Sequence, residues 1–449
     1  MITARAFTGK HYAVLGLARS GLATVAALVA GGARVTAWDS NPEAVEKLRS
    51  SRAQSRDVGA KELVSTSLDT NGLNFADLDK ADLTQFDSIV VTPGLPLNRH
   101  PIAQRARDAG VEIIGDIELF ARARTELPPH KVVGITGTNG KSTTTALVHH
   151  ILQTAGVPSL MGGNIGLPIL SQDPLPEGGV YVLELSSYQI DLTKTLDCDV
   201  AVLLNITPDH LDRYENFEAY AASKARLFEM QSTNSDAIVG VTGAATRKIA
   251  DDCSARGQDV VQIGTDPIST EYVWPALQGP HNAQNAAAAV EVCVQLGLRG
   301  EAILSGLRTF PGLPHRMERI RDRDGVLFVN DSKATNAEAA APALAAYPRV
   351  RWIVGGKAKS DTIGQTGDHL DHVVTAYTIG EAGPMFARLL RDAGVTVIEC
   401  ETLENAVKRA AEDSQAGETV LLSPASASFD QYRDFEARGD HFRDLVGAL

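Results

Sequence analysis

The chain has 449 residues, 44% of them hydrophobic and 22% charged, and a formal net charge of −13. At about 100–200 residues per domain that length implies two to four domains with apolar material for several cores, which excludes a largely disordered chain. The acidic balance argues against a nucleic-acid partner, and the four scattered cysteines, Cys198, Cys253, Cys293 and Cys400, make no Cys-x-x-Cys pair, which disfavours a thiolate zinc site or a disulfide framework and suits a reducing cytoplasm.

From Tyr12 to Val35 the chain is apolar, but Arg19 interrupts it and Gly16, Gly21, Gly31 and Gly32 punctuate it, so no membrane insertion is expected there. His11 to Leu15 predicts a strand, Gly16 to Gly21 a turn, Leu22 to Ala30 a helix, and Arg34 to Trp38 a second strand ending at Asp39. This is a mononucleotide-binding βαβ unit, with Asp39 placed to accept hydrogen bonds at a strand tip. Ala18 stands where a dinucleotide fingerprint would have its middle glycine, which weakens that fingerprint; the turn still has room for a ribose or uridine group. After a polar stretch to about residue 80, Ser88 to Gly94 predicts another strand running into the loop Thr92-Pro93-Gly94.

A central region begins near Asp116 and carries the most specific string, Gly134-Ile-Thr-Gly137-Thr138-Asn139-Gly140-Lys141-Ser142-Thr143, between the apolar Val132-Val133 and a helix-like run. A glycine-rich turn between strand and helix, closed by Lys-Ser, cradles phosphate with backbone N–H groups. Lys141 adds positive charge and the Ser142 hydroxyl can ligate Mg²⁺, so a nucleoside triphosphate is expected. The general Walker pattern would need a glycine at Ile135. Further strands are predicted at Gly179 to Leu185 and Ala201 to Asn205. In a parallel sheet ligands gather past the carboxyl ends of strands, so Glu184 and His210 are expected to converge on one metal and phosphate cluster. Asn164, in Gly162-Gly-Asn-Ile-Gly166, is a polar tip of similar character.

The third region, from Leu313, predicts strands at Val326 to Asn330, Arg351 to Val354, His372 to Ile379, Val395 to Ile398 and Thr419 to Leu422. Their ends carry Asn330 to Asn336, Gly355 to Ser360 and Ser423 to Tyr432; two lysine-bearing tips and a serine-rich tip suit a small substrate rich in carboxylates. Lys357 reads as a solvated loop lysine. The fold class expected is α/β with three domains: 1–115, Rossmann-like; 116–312, a P-loop ATPase-like domain with a mostly parallel sheet; and 313–449, Rossmann-like.

Together these strings resemble the Mur ligases almost end to end. They are Thr136 to Thr143, Leu183-Glu-Leu-Ser-Ser-Tyr-Gln189, Asn205-Ile-Thr-Pro-Asp-His210, Gly279-Pro-His-Asn282-Ala-Gln-Asn285, Pro314-His-Arg316 and Asn330 to Asn336. Ser423-Pro-Ala-Ser-Ala-Ser-Phe-Asp-Gln-Tyr-Arg-Asp-Phe435-Glu-x-Arg438-Gly439 points within that family to the branch that adds D-glutamate. The resemblance implies ATP-dependent amide formation in peptidoglycan synthesis, with D-Glu joined to UDP-N-acetylmuramoyl-L-alanine through an acyl phosphate, by a cytoplasmic monomer. Its first domain would bind UDP, its second ATP, and its third the amino acid, closing on ATP.

By the same resemblance, Lys141, Glu184, His210 and Lys224 are the catalytic residues. Ser142 and Glu184 would hold one Mg²⁺, and His210 with a carbamylated Lys224 (N6-carboxylysine) a second. ATP would be met by Gly137, Thr138, Asn139, Gly140, Lys141, Ser142 and Thr143, then Asn282, Asn285, Arg316 and Asp331. The UDP-linked substrate would meet Ser20, Asp39, Thr92, Gly94, Asn164 and Ser186, and D-Glu would meet Lys333, Thr335, Lys359, Ser428 and Phe435. Taken by itself, Lys224 reads as a helix-surface lysine beside Glu218. Sibling ligases and folylpolyglutamate synthetase are the nearest alternatives; an NAD-linked oxidoreductase or a P-loop NTP switch would be of another class.

Overall fold

Short apolar runs alternating with helical patterns cannot bury their faces alone, and they assemble into three separate sheets with helices on the faces. The computed structural model describes the chain apart from residues 55–71, 210–211, 265–273, 275 and 278–279. Among the described residues no helix is long and apolar enough to cross a membrane. The class is α/β.

The first sheet holds β1 (His11–Leu15), β2 (Arg34–Trp38), β3 (Leu73–Phe75), β4 (Ser88–Val91) and β5 (Glu112–Ile114), all parallel, in the order β3-β2-β1-β4-β5. The second holds β6 (His130–Thr136), β7 (Ser159–Gly163), β8 (Gly179–Glu184), β9 (Val200–Leu203), β10 (Asp236–Gly240) and β11 (Asp259–Ile263), in the order β11-β10-β9-β6-β8-β7, again parallel. The third holds β12 (Glu318–Arg323), β13 (Val326–Asn330), β14 (Val350–Gly355), β15 (Val373–Ile379), β16 (Val397–Glu401) and β17 (Thr419–Leu422), in the order β12-β13-β17-β14-β15-β16. Only its edge strand β12 runs antiparallel, to β13.

The chain packs as two compact units, Met1–Gly264 with Ala288–Ile303, and Thr265–Ala287 with Leu304–Leu449. The first contains β1 to β11, the second β12 to β17. The expected boundary at Leu313 falls inside the second unit.

Three expected strands start one residue away, at Val200, Val350 and Val373, and two elements start further off. The first helix begins at Arg19 rather than Leu22, because the turn after β1 is shorter than the glycine spacing suggests and Ala18 already stands as its extended N-cap. β16 begins at Val397 rather than Val395. Gly394 takes a left-handed φ of 83°, its N–H bonds Arg391 O at 2.9 Å, and the Val395 N–H bonds Leu390 O at 2.9 Å, which closes the preceding helix in a Schellman motif and takes Val395 out of the strand.

Within the first unit, the join between the first two sheets is polar and closed. Glu118, wholly buried, accepts Arg122 Nε at 2.9 Å, Lys194 N at 2.7 Å, Thr195 N at 3.0 Å and Thr195 Oγ1 at 3.0 Å. Glu112 accepts Ser88 Oγ at 2.6 Å, Arg122 Nη1 at 2.8 Å and Lys194 Nζ at 2.8 Å. Burial opposes the Glu112 charge, yet Arg122, Lys194 and Ser88 outweigh it and bring the carboxyl down to about 2.

In the second unit the amino ends of the strands are tied by Glu418. It takes Arg351 Nε at 2.5 Å, Arg349 Nη2 at 2.6 Å and Gln415 N at 3.0 Å, while Arg351 Nη1 donates to Tyr377 Oη at 2.9 Å. Glu418 and Arg351 are both buried, so removing one partner strands the other charge away from water. Glu418→Ala should cost about 3–5 kcal/mol. The check is a lower urea midpoint by Trp352 fluorescence in a chain whose Trp38 and Trp274 are phenylalanine; an unmoved midpoint would show the cluster to be dispensable.

Candidate functional site

The second sheet brings β8, β6 and β9 side by side, with Ile135 paired to Glu184 and Thr136 to Leu203, so three strand tips open together. After β6 the loop is held by its neighbour. Thr138 N bonds Asn205 O at 2.9 Å, Asn139 N bonds Asn205 Oδ1 at 2.9 Å, and Asn205 Nδ2 returns to Asn139 O at 3.2 Å. Thr138 Oγ1 donates to Thr207 O at 3.1 Å and accepts Thr207 N at 3.0 Å, with Tyr220 Oη 3.1 Å away. Gly137 and Gly140 adopt φ of 153° and 87°, values that L side chains rarely take, and Lys141 opens the helix Lys141–Thr154. Loop amides at a helix N-terminus make an anion cradle.

Two lysines meet at this loop. Lys141 Nζ donates to Gly137 O at 2.9 Å and Thr138 O at 2.8 Å, and Lys224 Nζ donates to the same Gly137 O at 2.9 Å. Lys224 is not on the surface of its helix, Phe217–Glu229. It is 1% exposed, with its amine 4.6 Å from the centre of the Tyr220 ring. Burial, then the Lys141 charge, push its pKa well below the usual lysine value.

Glu184 ends β8 and is buried. Its Oε1 accepts Asn164 Nδ2 at 3.1 Å, while Oε2 has no hydrogen-bond partner among the described residues. Gly163, with φ of 86°, lets the loop close on the same strand end: a Cβ there would lie 2.1 Å from Glu184 O. A buried carboxylate oxygen left open beside the Ser142 hydroxyl's loop is a hard oxygen donor set, which fits Mg²⁺. Among the described residues no group of three His, Cys, Asp or Glu clusters to hold a metal, so such an ion would lean on substrate oxygens as Mg²⁺ habitually does. His210 lies outside the described residues. The Ser186 hydroxyl is engaged in a capping box, accepting Gln189 N at 3.3 Å and donating to Gln189 Oε1 at 3.0 Å.

In the first sheet the strand order reverses at β1 and β4, the crevice where nucleotides bind in such folds. Gly16, φ 99°, passes so near Thr92 that a Cβ would lie 2.5 Å from Thr92 Oγ1, and one on Gly21 would lie 1.9 Å from Gly16 O. Asp39 accepts Leu17 N at 2.6 Å and Asn41 N at 2.8 Å, fixing the turn as its place at the strand tip suggests. Ser20 and Thr92 are half-buried and Gly94 is exposed. Arg213 reaches this loop from beyond β9, donating to Leu95 O at 2.8 Å and Gly94 O at 3.2 Å, with its guanidinium 4.3 Å over Tyr188.

In the third sheet β13, β17 and β14 are neighbours, so the three polar strings predicted at their ends do meet. Lys357 is exposed and exchanges two backbone bonds with Ala427, N to O at 2.8 Å and O to N at 3.0 Å. Lys333 Nζ lies 3.8 Å over the Phe435 ring, Ser428 is buried, Thr335 is half-buried and Lys359 is exposed. Arg316 stands between His315 and Met317, whose φ values of 61° and 49° are strained for such side chains and typical of positions held for function. Asp331 is buried, taking Met317 N at 3.2 Å and Ser423 Oγ at 2.8 Å. Asn282 and Asn285 share a hydrogen bond of 3.0 Å on the helix Pro280–Gln295.

Two organising residues escaped the sequence-based site. Asn205 was visible as the end of an apolar run and the first residue of a family string, with no role assigned, and its hold on the phosphate loop depends on β9 lying next to β6. Arg438, in the string Phe435-Glu-x-Arg438-Gly439, is buried where solvent exposure is the rule for arginine.

Residues 10–115 match the MurD-like N-terminal domain of Mur ligases, residues 135–293 the Mur ligase middle domain, and residues 315–426 the Mur ligase glutamate ligase domain. The chain is 57% identical over 451 residues to UDP-N-acetylmuramoylalanine–D-glutamate ligase of Novosphingobium aromaticivorans, covering 100% of this chain and 97% of the relative. It is 54% identical over 455 residues to the protein of that name from Zymomonas mobilis, covering 100% of both. Its fold is similar to that of UDP-N-acetylmuramate-alanine ligase MurC from Thermotoga maritima, with a TM-score of 0.57, 17% identity, and coverage of 98% of this chain and 99% of the other. Escherichia coli FolC is similar over 80% of this chain and 98% of its own, with a TM-score of 0.55 and 22% identity.

Burial pushes the Asp331 carboxyl up to about 7, against the hydrogen bonds from Ser423 and Met317 and the charge of Arg316. An unfolded aspartate titrates near pH 4, so between about pH 4 and about pH 7 the folded chain keeps at Asp331 a proton that the unfolded chain has lost, and the contribution of Asp331 to stability falls as pH rises. Asp331→Asn should flatten that fall. Urea midpoints at about pH 5 and about pH 7.5 check it, and an equally steep fall in the variant would assign the slope to another group.

Proposed function

Because the chain belongs to the Mur ligase family, we propose that it is an ATP-dependent ligase that joins D-glutamate to UDP-N-acetylmuramoyl-L-alanine, as a monomer, in cytoplasmic peptidoglycan synthesis. One observation carries the reading: neighbouring strand tips gather a phosphate cradle and a buried carboxylate oxygen that has no hydrogen-bond partner among the described residues, and a buried lysine reaches the same cradle from its helix. In this reading residues 1–115 bind the UDP end, 116–312 bind ATP, and 313–449 bind the amino acid and close on ATP.

A carboxylate resists attack by an amine until one of its oxygens becomes a leaving group. The γ-phosphoryl group of ATP passes to an oxygen of the alanyl carboxylate, giving ADP and an acyl phosphate. The neutral amine of D-Glu then attacks the carbonyl carbon to give a tetrahedral intermediate, the nitrogen gives up a proton, and the C–O bond to phosphate breaks so that phosphate leaves with the electron pair and can carry that proton away. Bringing two anions together demands concentrated positive charge, for which the loop amides of Gly137 to Thr143 and Lys141 are suited. Ser142 and Glu184 would hold one Mg²⁺, and His210 with Lys224 as a carbamate a second, the ions neutralising phosphate oxygens as the carboxylate approaches.

The lowered pKa of Lys224 supports the carbamate, since only the neutral amine adds to CO₂, losing a proton to become an anion able to ligate a cation. Asn282, Asn285, Arg316 and Asp331 would complete the ATP site. Ser20, Asp39, Thr92 and Gly94 would hold the uridine end, Asn164 and Ser186 the muramoyl part, and Lys333, Thr335, Lys359, Ser428 and Phe435 the D-Glu.

The test is phosphate release across a panel of D- and L-amino acids. Turnover should require ATP, the nucleotide substrate and D-Glu together, and L-Glu turning over equally well would remove the assignment. For the lysine, Lys224→Ala should lose roughly a hundredfold in kcat, as removal of a charge-stabilising group does. A small carboxylic acid in excess should restore part of it, whereas Lys224→Arg keeps bulk and the wrong charge and should not be rescued. A near-normal rate for Lys224→Ala would make the residue structural.

A further inference from the structure

Arg438 lies in the helix Phe435–Ala448 and is 1% exposed. Its donors meet neutral acceptors: Nε bonds Ser332 Oγ at 3.0 Å, Nη2 bonds Ser332 O at 2.9 Å and Ser426 O at 3.0 Å, and Nη1 bonds Ala427 O at 3.3 Å. Ser332 follows β13, and Ser426 and Ala427 follow β17. The tip of β14 presses on the same point, because a Cβ on Gly356 would lie 3.0 Å from Arg438 Nη1 and 2.4 Å from Ala427 O. Burial brings the guanidinium down to about 10, which leaves it protonated at neutral pH, and Asp430 acts on it only at longer range.

A buried charge without a carboxylate partner is costly, and an apolar side chain of similar size would fill the space without that cost. What the guanidinium does that an apolar group cannot is bond acceptors on separate loops from one rigid plane. Both of those loops carry a residue given above to the amino acid, Lys333 beside Ser332 and Ser428 beside Ala427, while Lys359 lies beyond Gly356 on the packed tip of β14 and Phe435 is on the helix of Arg438 itself.

We propose that Arg438 is the positioning residue of the amino-acid site, its fork fixing the tips of β13 and β17 relative to one another, with the β14 tip packed against them and bonded to Ala427 through Lys357, so that their side chains converge on the two carboxylates of D-Glu. The inference rests on the D-Glu site proposed above. It places no contact between Arg438 and the substrate.

The decisive variant is Arg438→Lys, which keeps the charge and loses the fork. KM for D-Glu should rise by about tenfold, since small misplacement of binding groups is expensive. KM for the nucleotide substrate should stay within about twofold, because its proposed groups lie in the first unit, and KM for ATP should rise less than that for D-Glu, because Asp331 beside Ser332 is one of several groups given to ATP. The acyl phosphate formed without D-Glu, trapped with hydroxylamine as the hydroxamate, should form at the parent rate. Ser332→Ala, which removes one acceptor and perturbs folding less, should give a smaller rise in the same constant, and it decides the matter if Arg438→Lys does not fold. An unchanged KM for D-Glu, or a parallel loss in all three constants and in the hydroxamate, overturns the inference. Lys333→Ala and Ser428→Ala separate the two levels. If they raise KM for D-Glu while Arg438→Lys does not, only the role of Arg438 falls; if none of them does, the D-Glu site falls with it.

Discussion

The Gly137 carbonyl oxygen receives both Lys141 and Lys224 at 2.9 Å, and the chemistry proposed for the second sheet grows from that crowding. Two ammonium groups on one acceptor repel each other, and the more buried one yields its proton more readily. Lys224 is the buried one, held by a helix whose Tyr220 also braces Thr138 in the same loop. The glycine at 137 is required by its φ of 153°, so loop shape, the placement of Lys141 and the lowered proton affinity of Lys224 share one backbone position.

The ionisable groups sort by which end of a sheet they occupy. At the amino ends, Glu112 and Glu418 are matched by arginine or lysine and serve cohesion. Around the carboxyl ends, Glu184, Lys224 and Arg438 are buried with hydrogen bonds to neutral groups, and Asp331 holds only neutral donors while Arg316 acts on it by charge alone. Groups left with charge to spare, or without charge where they would normally have it, are what a site for anionic substrates requires. The fold keeps these two uses of charge apart along the same strands.

Much of this was legible in the chain. Runs such as Val132 to Thr136 and Val420 to Leu422 are too short and too apolar for anything but buried parallel strands, and the polar strings past them had to lie at one end of each sheet. The strand orders, which set β6 between β8 and β9 and β17 between β13 and β14, were not legible, and without them Asn205 and Arg438 were members of family strings with no role of their own. Lys224 was ambiguous for a similar reason: its helix is amphipathic only weakly in sequence, and its burial depends on the phosphate loop lying across it. Val395 misled because its β-branched character speaks for a strand while Gly394 before it ends a helix, and the backbone bonds of that cap outweigh side-chain propensity.

The closed join between the first two sheets bears on selection. With four hydrogen bonds on Glu118 and three on Glu112, the first unit holds its nucleotide crevice and its phosphate loop as parts of one body. On the proposed function, a substrate anchored by its nucleotide at one and activated at the other would be measured by that body, since a stem one residue too long or too short would bring its carboxylate to the wrong place. Such a frame would act as a calliper, selecting by reach before any side chain is read.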